Sequence, residues 1–422
     1  MSHVEDVDGV VFDPNLTKPD VLVLQNLVAD IREYQERDEQ LQRRRDKEGG
    51  DKERGQSRRD AATITALAAL NDPKNALFEP TVFSQVDTGD IRLPPSIDAW
   101  IFRPYVRVAR SIVRVETDVV MLTHLLLYFS TSVPSAMFLF WKFTWVHGLL
   151  HFIMQVSYMG TYTLMMHQHI HMRGILNKRL SILDSLFPYI TDPLMGHTWN
   201  SYYYHHVKHH HVEGNGPDDL SSTIRYQRDN LDLPLYFIRK GWLVFAIKAA
   251  FWELSWYTTL YTLYQYNPKA TFTVFLLPLL LLRSGLMLGN WGQHAFVDHD
   301  EPNSDYRSSI TLIDVPSNRY CFNDGYHTSH HLNPRRHWRE HPVSFMKSKE
   351  LYAVQKALVF HNIDYLMITV RLLMKDYRTL ARCMIPIGEE QMSMSIEDRM
   401  ALLRSHTQKF TEKEIQDKFK AK

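Results

Sequence analysis

Cysteine is almost missing from this chain: its 422 residues hold two, Cys321 and Cys383. That excludes a disulfide framework and a four-cysteine zinc site. Net charge is nearly absent too, at +1, and the basic residues are scattered rather than interleaved with stacking aromatics, which excludes a nucleic-acid groove. The opening residues, MSHVEDVDGVVFDP, contain no apolar run, so no cleaved secretory leader is expected. No internal repeat or low-complexity tract stands out. What the chain has in excess is histidine, 22 residues gathered mostly in a few short runs.

Charge also thins out locally along the middle of the chain. A membrane-crossing helix needs about 20 mostly apolar residues to cover the hydrocarbon core. Four segments qualify, 119–141, 146–166, 241–264 and 271–289. Short links around Lys142 and around Asn267 and Pro268 pair them into two hairpins. His124, His147 and His151 are expected to pack or hydrogen-bond within them, and Lys248 is expected to pair with Glu253, because lone intramembrane charges are costly. The polar stretch 172–240 carries Arg173, Lys178, Arg179, Lys208, Arg225, Arg228, Arg239 and Lys240, whereas the tight links carry little beyond Lys142 and Lys269. The positive-inside rule then puts the large loops and both termini in the cytosol.

The expected organisation has three parts. Residues 1–95 read as a cytosolic extension: Pro19 and Asp20 start a helix with an apolar stripe at Leu24, Leu27, Val28 and Ile31, and alternating charges from Glu33 to Asp60 suggest a solvated helix fading into a flexible linker. Residues 96–343 form the membrane domain. Residues 344–422 supply amphipathic helices, over 345–360 and 363–382, and a tail. The fold class is all-α: an integral membrane protein of about four transmembrane helices in two hairpins, under a cytosolic helical cap that holds the histidines.

The histidine spacings carry the chemistry. HQHIH ends the second apolar segment and puts His167 and His171 one helical turn apart, with His169 pointing away. In YHHVKHHH, His206, His209 and His210 stand at i, i+3 and i+4; a register through His205, His209 and His210 fits equally. GYHTSHH repeats the spacing with His327, His330 and His331. NWGQH follows the fourth apolar segment and sets Asn290 one turn before His294. Two hairpins bring all four elements to the cytosolic face. Imidazoles packed together repel when protonated, and a metal is the usual compensation. Zinc takes three or four ligands. About nine imidazoles suit two five- or six-coordinate ions, and iron accepts imidazole well.

These elements resemble the three histidine boxes of the membrane-bound fatty acid desaturase and hydroxylase superfamily: HxxxH at His167 to His171, then HxxHH at His206 to His210 and at His327 to His331. NWGQH is similar to the NxxxH element of acyl-CoA desaturases. The resemblance implies a diiron site with His167, His171, His206, His209, His210, His294, His327, His330 and His331 as ligands and Asn290 acting through a water. His169, His205 and His211 depart from the pattern and stand in reserve; His197, His299 and His337 are expected outside the ligand set. Glu213, Asp218, Asp219, Asp298, Asp324 and Glu340 are candidates to accept the second N–H of a ligand.

The implied reaction uses two iron ions and O2 to desaturate the acyl chain of a lipid or acyl-CoA in the bilayer. A hydroxylase or acetylenase acting on a fatty acid or specialised lipid is the nearest alternative. A metal-binding receptor or transporter is a third, opposed by clusters that flank the apolar segments rather than interrupt them. No HPGG haem motif occurs in residues 1–95, so a separate donor such as cytochrome b5 with its reductase is expected. Arg173, Lys178, Arg179, Arg335, Arg336 and Arg339 are candidates to meet it or an anionic head group. The final Lys418, Phe419, Lys420, Ala421 and Lys422 resemble a retrieval signal for the endoplasmic reticulum.

Overall fold

The computed structural model describes residues 5–7, 9–43, 52–84, 86–240 and 250–419. Helices dominate, and four long ones fall on the four apolar segments. Val119–Trp141 turns at Lys142 into Trp145–Met172, whose first turn is capped by the Thr144 hydroxyl accepting from the His147 N–H. Ala250–Tyr266 leads through Asn267, which caps the next helix at the Ala270 N–H, into Pro268–Gln293. Val119–Trp141 and Pro268–Gln293 are long and apolar enough to cross a membrane. Trp145–Met172 is longer than either but is diluted by His147, His151 and Gln155, which join Ser132 and Ser135 of the preceding helix in a hydrogen-bonded ladder. Residues 241–249, with Lys248, lie outside the described residues. Glu253 pairs with Arg283, 3.2 Å away and likewise buried; the expected Lys248 contact falls on a residue outside the described ones. The four helices leave Met137, Trp145, Leu149, Leu254 and Tyr261 more than half exposed, as lipid-facing side chains are.

The chain is mostly helical as expected, and the described residues add three small sheets to the helices. Strands β1 (Glu5–Val7) and β2 (Val10–Phe12) form one hairpin, β3 (Thr81–Phe83) and β4 (Val86–Asp87) another. The third sheet matters for the site. In it β6 (Leu358–His361) lies between a parallel partner β5 (Ile310–Ile313) and an antiparallel partner β7 (Met384–Ile385). The helix expected over 345–360 stops at Val354; Lys356 takes a left-handed backbone and LVFH continues as the central strand. All four of its residues are buried, so they form an apolar run without the two-residue alternation that marks a half-exposed strand.

The N-terminal segment packs on this sheet. Leu24, Leu27 and Val28 of helix Lys18–Arg43 share a core with Ile313, Tyr326, Phe345 and Val359. Part of the charge run also faces inward: the buried Lys349 ammonium donates to Asn26, Asp30 and Asp60 at 2.6 to 2.8 Å, joining helix Lys52–Ala69 to the C-terminal part. Asp20 accepts from Tyr326 Oη and Asn318 Nδ2, each at 2.9 Å, so the first helix braces the loop that enters the third histidine box.

Candidate metal centre

Trp145–Met172 delivers its last turns, and the His327–Leu332 helix all of its length, into one buried place beside residues 203–213 and the end of Pro268–Gln293. Nine imidazoles meet there as two groups. His167, His171, His206, His211 and His330 form one; His210, His294, His327 and His331 form the other. Within each group one ring nitrogen of every member lies within 4.8 Å of the rest. The nitrogens face each other closely: His206 Nε2 is 2.7 Å from His167 Nε2 and 3.0 Å from His211 Nε2, and His211 Nε2 is 2.8 Å from His330 Nε2.

Hydrogen bonding alone does not satisfy this arrangement. His210 Nδ1 donates to Asp219 Oδ2 at 2.8 Å and His294 Nδ1 donates to the Ser308 carbonyl at 2.7 Å. A neutral imidazole carries one N–H, so each of these two presents a bare Nε2 lone pair to its group. Burial, then the neighbouring rings, hold His206, His211, His327 and His330 well below the ordinary imidazole range, which keeps them in the neutral form that binds metal. All-nitrogen sets of five and four donors are compatible with two iron ions, and the five-donor set exceeds what zinc requires.

Eight of the nine histidines expected as ligands fall in these groups; His209 does not. Its Nε2 accepts from the Leu220 N–H at 2.8 Å, and His211, held in reserve, takes the vacant place. The cause is local winding. Tyr203–His210 is π-helical, so the residue five positions on, not three, returns to the same face, and His206 is matched by His211. His169 turns to the Asp184 carbonyl at 3.1 Å, and His205 sits beside His209. His197 stacks on Tyr202, His299 on Phe410, and His337 reaches Asp118, all outside the two groups.

Of the acids singled out, Asp219 serves a group member, whereas Asp324 accepts from Gln293 and Asp298 from Arg307. Sequence reasoning missed the Ser308 carbonyl and Asp305, which lies 3.6 Å from His331 Nδ1. It also missed Arg228, fully buried, which donates to the carbonyls of Thr223, Tyr226, Ala295, His406 and Gln408 and so ties NWGQH to the loop after the second box. Asn290 Nδ2 donates to the Ser221 carbonyl and to Tyr236 Oη.

A cavity of about 570 Å³ opens between Trp145–Met172 and Pro268–Gln293 and reaches His167, His206, His210 and His327. Gly160, Gly285 and Gly289 line it, and a Cβ at any of the three would meet nothing within 4 Å. The long apolar wall and the histidines therefore share one space.

A sequence model of the fatty acid desaturase family matches residues 231–361, a span that includes NWGQH and the third histidine box. No curated protein and no solved structure matches the chain. Over that span, under a third of its length, the chain is similar to the fatty acid desaturase family.

Proposed function

We propose that the protein is an O2-dependent diiron desaturase of a long-chain acyl lipid. One observation carries this reading: a largely apolar cavity of about 570 Å³ is lined by members of both histidine groups. His167, His171, His206, His211 and His330 would hold one iron, and His210, His294, His327 and His331 the other. Bound there, the irons supply the O2 chemistry that removes hydrogen from an unactivated C–H bond. The balance is simple: a CH2–CH2 pair becomes CH=CH, a carrier supplies two electrons, and with two protons O2 leaves as two waters.

The chain's own part is to position and to exclude. The glycine-lined wall admits an extended alkyl chain; Asp219 and the Ser308 carbonyl fix the tautomers of His210 and His294. Asn290, on the same wall, would act through a water. Both histidine groups sit where the long helices end, which supports a two-hairpin membrane topology. The cytosolic face of the endoplasmic reticulum and a separate cytochrome b5-type donor are proposed with it from the loop charges, the terminal lysines and the lack of an HPGG motif in residues 1–95. The preference for desaturation over hydroxylation rests on NWGQH. Expression in a host that supplies cytochrome b5, followed by lipid profiling, tests it. New double bonds without hydroxylated lipids are expected; hydroxylated lipids alone would reverse the assignment.

A further inference from the structure

The stretch just before the first long helix has a periodicity of its own. Pro95–Ile97, Asp98–Phe102 and Arg103–Ile112 run on as one helix, the middle part π-helical. Its side chains fall into three sectors. Phe102, Tyr105, Val106 and Ala109 pack inward with Val82 and Val119, and Tyr105 Oη lies 2.7 Å from Thr123 Oγ1 of the first long helix. Arg103, Arg107 and Arg110 follow at i, i+4 and i+7. Ile97, Trp100, Ile101 and Val108 make the third sector, and all four are exposed, Trp100 to 83%.

A second strip is joined to this helix. Beyond Trp145–Met172 the chain runs antiparallel to the helix end: Val113 pairs with Leu176, the Arg114 N–H donates to the Ile175 carbonyl at 2.9 Å, and the Asn177 N–H donates to the Ile112 carbonyl at 2.8 Å. It then presents Lys178 and Arg179, followed by Ile182, Leu183 and Leu186, again exposed. The acid of this strip, Asp184, is turned inward, where it accepts from the Ile175 and Leu176 N–H groups. Arg103 is paired with Asp98 and Arg110 with Glu116, whereas the side chains of Arg107, Lys178 and Arg179 have no partner among the described residues.

Single exposed apolar side chains are ordinary on any surface; seven in two joined strips, each bordered by cations, are not. What covers them follows from position. The first strip leads within a few residues into Val119–Trp141, and the second leaves Trp145–Met172 directly, so both continue the lipid-facing surface of the long helices. A helix with an apolar face, a basic border and a tryptophan at its rim lies in the plane of a bilayer surface, with its cations at the lipid phosphates. We propose, resting on the membrane topology above, that the two strips form a collar in the headgroup layer on the histidine side, where Arg107, Lys178 and Arg179 bind acidic phospholipids. The collar fixes the depth at which Trp145–Met172 delivers His167 and His171.

The test uses the full-length protein in nanodiscs with a nitroxide on one introduced cysteine at a time: Ile101→Cys, Ile182→Cys, Ile153→Cys on the second long helix, and Glu397→Cys on an exposed C-terminal helix. Labelled wild type corrects for Cys321 and Cys383. Labels at Ile101 and Ile182 are expected to meet O2 in preference to a water-soluble nickel chelate, as at Ile153, and the label at Glu397 to meet the chelate. Chelate access at Ile101 and Ile182 equal to that at Glu397 overturns the proposal. Dipolar broadening between labels on two chains would give the face to a second copy of this chain and overturn it as well. For the charge, protein purified in equal parts of phosphatidylcholine and phosphatidylserine is expected to retain the serine lipid about fivefold over the choline lipid. Arg107→Gln with Arg179→Gln is expected to erase that preference at unchanged iron content. No preference in wild type, or one that survives in the variant, refutes lipid binding by the collar. Ile153 keeps the two readings apart. A label there open to the chelate refutes the membrane topology itself; Ile153 shielded while Ile101 and Ile182 are open refutes this inference alone.

Discussion

His210 and Asp219 are joined at 2.8 Å, Nδ1 to Oδ2, in a place where neither side chain meets solvent. Burial opposes the charge on Asp219, yet His210 and the Ser221 hydroxyl hold its carboxyl well below the usual range. Removing that acceptor frees His210 to carry its proton on the nitrogen that faces the second group. Asp219→Asn is expected to weaken iron retention about 10- to 100-fold against a chelator. Iron loss at the wild-type rate would show that the contact is ordinary packing.

The π-helical turn makes a sharp distinction between two neighbours in the second box. His211→Ala removes a member of the five-histidine group, whereas His209→Ala removes a side chain whose Nε2 already accepts from Leu220. The first variant is expected to lose iron and the second to keep most of it, as read by metal analysis after native purification. The reverse pattern would restore regular α-helical winding over residues 203–210.

Space in the cavity is kept by glycine, and filling it separates substrate fit from metal binding. Gly160→Leu places a branched side chain where a Cβ has no neighbour within 4 Å, so the helix tolerates it and the cavity does not. Product formation is expected to fall at least about tenfold with iron content unchanged. Undiminished turnover would mean that the substrate lies elsewhere.

A pH dependence follows from Asp314, which is buried and accepts from the Ser317 N–H at 2.8 Å. Burial pushes its carboxyl up to about 8. A group raised in the folded state binds more protons there than when unfolded, so its contribution to stability is lost as pH rises from about 4 to about 8. Histidines lowered by burial act in the opposite sense over the same window, so the carboxyl is read from the difference between two proteins rather than from the slope of one. Thermal unfolding of detergent-solubilised Asp314→Asn is expected to rise relative to wild type as pH goes from 6.5 to 8. A difference that does not change with pH would remove Asp314 as a source of pH dependence.

Much of the centre was legible because its signal is local. His167 with His171, and His327 with His330 and His331, keep helical spacing in sequence and space, and the apolar segments that deliver them are long. What stayed hidden depends on distant partners. The winding of 203–210 exchanges His211 for His209, and nothing in YHHVKHHH announces it. The LVFH strand has no alternation to betray it, since both faces are covered. Arg228 reads as one more loop cation until five carbonyls from three regions are seen to converge on it. The Asp20 contact joins residues some 300 apart, beyond any motif.

The two histidine groups divide adjacent residues between them: His210 from His211, and His330 from His331. The interval between the groups is therefore set by single peptide units at two places, not by the drift of whole helices. Loosening of the membrane hairpins would open the cavity before it stretched that interval. A one-residue insertion within either pair would act the other way, leaving the cavity whole and throwing both donor sets out of register at once.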